Sequence, residues 1–451
     1  MAPIKIHEIP DKDGTILFFP ETLMCKKIDN RYLSAYRSYF GSGVITENID
    51  EKELLKIKET AIEYAERIEM IQKNNEPYDD HFSTLILNVS NDCNMRCAYC
   101  FANHGVYNSE RGLMSAATAI RIVETYYNRY KSIHEIKFFG GEPLLNIDVI
   151  ESVCLRITEM YESKTIDALP RFKVITNGTI ITDKILEIID RYSIKLVFSI
   201  DGPAMIHDKL RPFPNGSPTH SAILRNYDRL RERFNGKQPH SIELTYTNLH
   251  SEMGWSIADC VDHIYSELKM PIGGVNVSLV NISNNTSISL PQDNTLWQDF
   301  ANTVVERMIH EHRFVGDLKI KGLIFRLQHG KTIPNRLCPA GTTWNAVSAS
   351  GTVYPCLMFM DLPQYEMGNI RDNFFETERY NELIARFSEP RPLSILPCKE
   401  CFAVNMCNRC AGMNSFFTGD IHKSSAGQCT AMRETLEILI KAYANGVFEG
   451  V

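Results

Sequence analysis

Three cysteines open the chemistry of this 451-residue chain: Cys93, Cys97 and Cys100 stand in "CNMRCAYCF" at C-x3-C-x2-C spacing, just after an apolar run. Thiolates bind soft metals, and C-x2-C is a short way to bring two of them to one site. A structural zinc ion would want a fourth protein ligand, and His104 could supply it in a Cys3His site. A [4Fe-4S] cluster is satisfied by three cysteines if its fourth iron takes a ligand that is not protein. Seven more cysteines crowd the C-terminal part: Cys338, then Cys356, then Cys398-x2-Cys401-x5-Cys407-x2-Cys410, and a last one at Cys429. Taken alone, this second group would also suit a pair of structural zinc sites. Cys25, Cys154 and Cys260 stand apart and read as small buried hydrophobes.

Composition limits what such sites can serve. With 44% hydrophobic and 23% charged residues the chain can bury a large core, and its length points to about three domains. The N-terminal "MAPIKIHEIPDKDG" lacks the apolar core of an export signal, and no apolar run approaches the ~18 residues of a membrane span. A cytoplasmic protein is expected, where closely spaced cysteines are metal ligands or redox groups rather than disulfides. A net charge of -7 without a long Lys/Arg tract argues against nucleic acid as partner and favours a small or peptidic one.

The elements that must position the cysteines follow from periodicity. Residues 1–82 hold three short strand-like runs, "IKIHEI", "GTILFFP" and "LMCKKID", then a helical pattern through Leu54, Ile57, Ala61, Tyr64, Ile68 and Ile71, and the polar linker "NNEPYDD". From 83 to 325, strand candidates at 84–90, 135–140, 171–177, 195–200, 242–248 and 274–280 alternate with helical stretches. That alternation predicts βαβ units and a parallel sheet, an α/β fold of barrel or partial-barrel form whose active site lies at the C-terminal strand ends. "CNMRCAYC", "GGEP", "TNG" and "SIDG" all fall at such ends. From 326 to 451 the pattern breaks down until the terminal "TAMRETLEILIKAYANGVF", so metal clusters are expected to hold that segment.

C-x3-C-x2-C with Tyr99 before its last cysteine resembles the motif of the radical S-adenosylmethionine (SAM) enzymes. The resemblance implies a partial (β/α)6 TIM-like barrel and a [4Fe-4S] cluster on Cys93, Cys97 and Cys100. The open iron of that cluster would be chelated by S-adenosyl-L-methionine, whose reductive cleavage yields a hydrogen-abstracting 5'-deoxyadenosyl radical. "FFGGEP" resembles the family's GGE motif, so Gly140, Gly141 and Glu142 are implied as contacts of the cofactor's ammonium. "TNG" and "SIDG" are likewise familiar at the next strand ends, which adds Asn177, Ser199, Asp201 and, further on, Arg211 as candidate cofactor contacts with Tyr99.

The C-terminal pattern, with "MGNI" at 367–370, resembles the SPASM domain and its two auxiliary [4Fe-4S] clusters. By motif position, Cys398, Cys401, Cys407 and Cys429 would close an outer cluster, and Cys338, Cys356 and Cys410 would hold an inner one. The x2 spacing of Cys407 and Cys410 departs from the x3 of many members, and "KTIPNRLC" lacks the extra cysteine some carry before the residue matching Cys338. An open inner iron would leave room for a substrate thiol, with the cluster taking up the surplus electron, as in thioether-forming members. The first unit resembles the winged-helix-like recognition domain that adds a precursor's leader as an extra strand. The chain is therefore expected to be a thioether-forming (sactipeptide/ranthipeptide) maturase of a cysteine-containing, ribosomally made precursor peptide. Its three [4Fe-4S] clusters would be served by a reductant such as flavodoxin or ferredoxin. The alternatives are a sulfatase-maturing, formylglycine-forming enzyme, a carbon-carbon crosslinking enzyme, and a non-enzymatic zinc-binding scaffold.

Overall fold

The computed structural model describes residues 3–73, 81–107, 109–269, 273–280, 287–291, 295–332, 338–389, 396–407 and 410–450. The linker expected at 74–80 and the segment 333–337 before Cys338 lie outside the described residues.

A first, antiparallel sheet has the order β1-β2-β3, from β1 (His7–Asp11), β2 (Gly14–Phe19) and β3 (Met24–Ile28). Asp11 pairs with Gly14 across the first turn, where Gly14 (φ +151) leaves no room for a Cβ against the Ile28 carbonyl. Leu17 and Phe19 face the helices Leu33–Ser42 and Glu51–Lys73 in one apolar cluster, while Ile16 and Phe18 face the main core. Both faces are thus covered, by the period-2 alternation of β2.

The second sheet contains the six parallel strands that the periodicity predicts. These are β4 (His81–Ser90), β5 (Ser132–Gly140), β6 (Arg171–Thr176), β7 (Lys195–Ser199), β8 (Ser241–Tyr246) and β9 (Val275–Leu279), paired in chain order. Each intervening helix is built to lie on that sheet. Ser115 caps Ala116–Arg129, which buries Ala119, Ile122, Val123 and Tyr126 at helical spacing. Thr182 caps Asp183–Arg191, and Ser256 with Asp259 forms a capping box on Ile257–Ser266.

Three strands that periodicity did not reveal extend this sheet. They are β10 (Trp344–Val347), β11 (Thr352–Tyr354) and β12 (Gly368–Asn369), giving the order β12-β11-β10-β4-β5-β6-β7-β8-β9. β10 runs parallel to β4, so the sheet crosses the 325/326 position, and that position itself falls within the helix Leu318–His329. Residues 340–387 also carry an ordinary apolar core, with Val347, Val353, Phe359, Phe374 and Phe387 buried, where cluster-dependent structure was expected. The pattern escaped detection because strands of two to four residues are too short to show a period. Among the described residues no helix is long and apolar enough to cross a membrane.

The Tyr126 hydroxyl donates to Asn345 Oδ1 at 2.8 Å, both residues being fully buried, and this bond joins the first barrel helix to β10. Tyr126→Phe is expected to lower the unfolding free energy by about 1–2 kcal/mol in urea titrations, through the unmet Asn345 carbonyl.

Candidate functional site

The loop after β4 has almost no regular structure, and its shape comes from what grips it. Gly141 N donates to Ser90 O and Glu142 N to Asp92 O, both at 2.8 Å. A Cβ on Gly141 would meet Asp92 O at 2.2 Å, and one on Gly140 would meet Ser90 O at 2.3 Å, so only glycine permits this approach. Arg96 Nη1 binds the carbonyls of Cys93 and Met95 at 2.8 Å, and the backbone N–H groups of Arg96 and Ala98 donate to Pro212 O and Leu210 O. The chain then turns through positive φ at Asn103, His104, Gly105 and Tyr107.

These constraints bring the first three thiols together. Burial pushes the Cys93 thiol up to about 12, with Glu142, Cys97 and Cys100 adding to the effect. Burial takes Cys97 up to about 11, against the pull of Arg211 and with Cys100 and Asp201 adding. N–H groups are aimed at two of the sulfurs: His104 N lies 3.2 Å from Cys100 Sγ, and Asn177 Nδ2 lies 3.9 Å from Cys93 Sγ. Among the described residues no three side chains form a group that could hold a single metal ion. Three half-buried soft donors, two of them with an N–H group directed at the sulfur, fit an iron-sulfur cluster.

Two buried carboxylates stand behind the loop. Glu142, fully buried, accepts from Leu144 N (3.0 Å) and Thr176 Oγ1 (2.7 Å) on Oε1 and from Asn177 N (2.8 Å) on Oε2. Burial raises its pKa against those donors. Asp201 accepts from the Tyr99 hydroxyl at 2.5 Å and from Thr245 N at 3.0 Å, and Arg211 Nη1 donates to the Tyr99 oxygen at 2.5 Å. Burial opposes charge on Arg211, yet Tyr99, Cys97 and Asp201 together hold its pKa well above the usual value. Tyr99, Asp201 and Arg211 therefore form one buried unit beside Cys97. Ser199, half-buried, ends β7 level with Glu243 of β8. The sequence places Glu142 and Asp201 among the candidate cofactor contacts, and in the structure their carboxylates accept hydrogen bonds from strand ends and from the cysteine loop. Sequence pattern does not single out Arg96 and Thr176 within "CNMRCAYC" and "TNG", and it misses the histidines that hold the Asp201 backbone, His207 Nδ1 at 3.2 Å and His250 Nε2 at 3.1 Å, which carry no local motif.

The C-terminal thiols form further groups. Burial raises Cys356 and Cys338, and Cys410 adds to both shifts, which places these three within reach of one another. Cys407, Cys410 and Cys429 line a cavity of about 420 Å³ with Trp297, Lys319 and Met413. Lys319 Nζ donates to Val277 O at 2.6 Å and lies 4.8 Å from the Trp297 ring centre. None of the thirteen cysteines is in a disulfide.

Residues 87–259 match the model of the Radical SAM superfamily, and residues 338–402 match that of SPASM, an iron-sulfur cluster-binding domain. The chain is a radical SAM protein with a SPASM domain. An uncharacterised protein of Methanocaldococcus jannaschii is 39% identical over 140 residues, which span 31% of this chain and 46% of that protein. The radical SAM cyclopropyl synthase TigE of Paramaledivibacter caminithermalis is 24% identical over 390 residues, 81% of this chain and 75% of TigE. Among solved structures, native anSMEcpe with bound AdoMet superposes with a TM-score of 0.65 at 21% identity, covering 81% of this chain and 99% of that one. Streptococcus suis SuiB bound to precursor peptide SuiA gives 0.51 at 15% identity, with 95% and 100% covered. At these identities the two structures establish the fold, and the six-stranded parallel sheet with its cysteine loop after β4 is a radical SAM barrel.

Replacing Glu142 by Gln would turn an NH2 toward one of three N–H or O–H donors. Glu142→Gln in this radical SAM enzyme is expected to cost about 1–3 kcal/mol in denaturant unfolding of the apo chain. It should also lower iron uptake at the first site, read by iron analysis of a variant bearing only Cys93, Cys97 and Cys100 as patterned cysteines.

Proposed function

We propose that this radical SAM enzyme installs thioether bridges, cysteine sulfur to carbon, in a ribosomally made precursor peptide. The observation that carries this reading is the pairing of a three-cysteine site at the barrel mouth with a second group of thiols around a cavity at the end of β9. The likeness in fold to SuiB bound to its precursor peptide supports a peptide substrate.

On this reading Cys93, Cys97 and Cys100 hold a [4Fe-4S] cluster that, with bound S-adenosylmethionine, supplies the hydrogen-abstracting radical. Asn177 and the His104 N–H donate to the liganding sulfurs, as their present placement allows. Gly140 and Gly141 let the strand-end backbone come close to the cofactor's ammonium, and Glu142 fixes that backbone. Tyr99, Ser199, Asp201 and Arg211 form the adjoining wall, where Arg211 keeps its charge for a carboxylate. Cys338, Cys356 and Cys410 hold an inner auxiliary cluster, and Cys398, Cys401, Cys407 and Cys429 an outer one, three clusters in all. The units are 1–82 for leader recognition, 83–325 for the barrel and 326–451 for the auxiliary sites. The enzyme works in the cytoplasm with a flavodoxin- or ferredoxin-type reductant.

A second reading, carbon-carbon bond formation in a peptide, is favoured by the similarity to the cyclopropyl synthase over 81% of the chain. The anaerobically reconstituted, reduced protein is expected to release 5'-deoxyadenosine from S-adenosylmethionine, and the Cys93/Cys97/Cys100 to Ala triple variant to release none. With a leader-bearing peptide encoded nearby, each bridge removes two hydrogens and one alkylatable thiol. Loss of hydrogens with every thiol still alkylatable would reject the thioether in favour of the second reading. Iron should approach about twelve per chain, and zinc without labile sulfide would sink both.

A further inference from the structure

The four cysteines proposed for the outer cluster come from two separate pieces of chain. Cys398, Cys401 and Cys407 lie on the segment that begins with the helix Leu396–Lys399, and Cys429 lies in the first turn of the helix Ala426–Ala444. Both pieces are covered by the N-terminal sheet, nearly 400 residues away in sequence.

On the first piece, the His7 ring stacks flat on Phe402, which directly follows Cys401, with centroids 3.7 Å apart and planes 2° apart. Phe18 meets the same ring edge-on at 6.3 Å. Lys5 Nζ donates to Lys399 O at 2.7 Å, and Asn405 Nδ2 donates to Pro20 O at 3.0 Å. On the second piece, His7 Nε2 lies 2.9 Å from Glu437 Oε1, and Lys441 Nζ donates to Pro10 O at 3.0 Å. Asn445, just past the helix, bonds Asp11 and Lys27 at 3.2 and 2.9 Å. His7 is the hinge of this arrangement, with its ring face on the cysteine loop and its ring edge on the cysteine helix.

We propose that the N-terminal sheet is a working part of the outer auxiliary centre, with His7 and Phe402 as its positioning residues. This rests on the reading of Cys398, Cys401, Cys407 and Cys429 as iron ligands. A four-cysteine cluster needs its loop and its helix held in one relative pose before iron arrives, and short loops carry little packing of their own to impose it. An aromatic stack and six polar contacts to the N-terminal unit, whose sheet has its own core, supply that constraint. The same contacts set the dipoles and the exclusion of water around the sulfurs, which tune a cluster's potential. Anything that adds to this sheet therefore acts within one side chain of the outer centre.

The test compares the anaerobically reconstituted full chain with Cys401→Ala, His7→Ala, Phe402→Ala and the stack-preserving His7→Phe and Phe402→Tyr. Readouts are iron and sulfide per chain, the EPR spectrum of the reduced enzyme, and midpoint potentials by EPR-monitored titration. Cys401→Ala should lose one cluster's signal and its iron. His7→Ala and Phe402→Ala should shift that same signal's g-values and potential and lower its intensity, leaving the other signals alone, and the two stack-preserving variants should restore it. If Cys401→Ala removes a signal that His7→Ala and Phe402→Ala leave at wild-type shape, potential and intensity, the proposal falls and the ligand reading stands. If Cys401→Ala itself changes neither iron nor spectrum, the ligand reading fails and takes the proposal with it. If the alanine variants do not fold, a shifted outer signal in folded His7→Phe or Phe402→Tyr overturns the stack as the positioning device, and a wild-type signal upholds it.

Discussion

Burying two carboxylates behind an irregular loop is the constraint on which the site depends. The segment from Asn91 to Phe101 contains no helix or strand, so its backbone groups must find partners elsewhere. Glu142 draws in the N–H groups of Leu144 and Asn177 and the Thr176 hydroxyl, which locks the ends of β5 and β6 together. Asp201 takes the Tyr99 hydroxyl and Thr245 N, which ties the loop itself to the ends of β7 and β8. Neither carboxylate would be tolerated there without those donors, since an unpaired buried charge costs far more than a hydrogen bond returns. The glycine pair completes the arrangement, because a side chain at Gly141 would push the strand-end turn away from Asp92.

A second consequence concerns charge inside the barrel. Parallel strands covered on both faces are commonly apolar throughout, and Ile136 and Phe138 of β5 are indeed fully buried against helices. Their neighbours Glu135 and Lys137 point the other way. Glu135 pairs with Lys137 at 3.6 Å and Lys173 at 3.3 Å, and Glu243 accepts from Asn276 Nδ2 at 2.6 Å. Burial lowers the pKa of Lys137, against the raising influence of Glu135, and raises that of Glu243. Such a lining is a poor filler for a closed apolar core.

Much of the barrel was legible from sequence, for a physical reason. β4 to β9 are apolar, bounded by turn residues and spaced by helical stretches, so local pattern and final structure agree. The cysteine spacings were legible because ligand chemistry demands particular residue types. What the sequence concealed is long-range: β10 beside β4, the inward turn of Glu142 and Asp201, and His7 against Phe402. The alternation of Glu135 and Lys137 with Ile136 and Phe138 was visible, and it marks the charged face of β5 as clearly as a motif would.

The join between β10 and β4 has a mechanical meaning. β10 pairs in register from Trp344 with Thr84 to Val347 with Leu87, so the strand that leads into the first cysteine loop is shared between the barrel and the C-terminal segment. Cys338 and Cys356 lie just outside the β10–β11 hairpin, and Cys93 lies three residues past the end of β4. Cys93 and the pair Cys338 and Cys356 therefore lie at opposite ends of these hydrogen-bonded strands. A change of register there would move every side chain to the other face, and the buried bond from Tyr126 to Asn345 pins that register from the helix side. Strand pairing thus joins the lead-in to the first thiols directly to the hairpin that Cys338 and Cys356 flank.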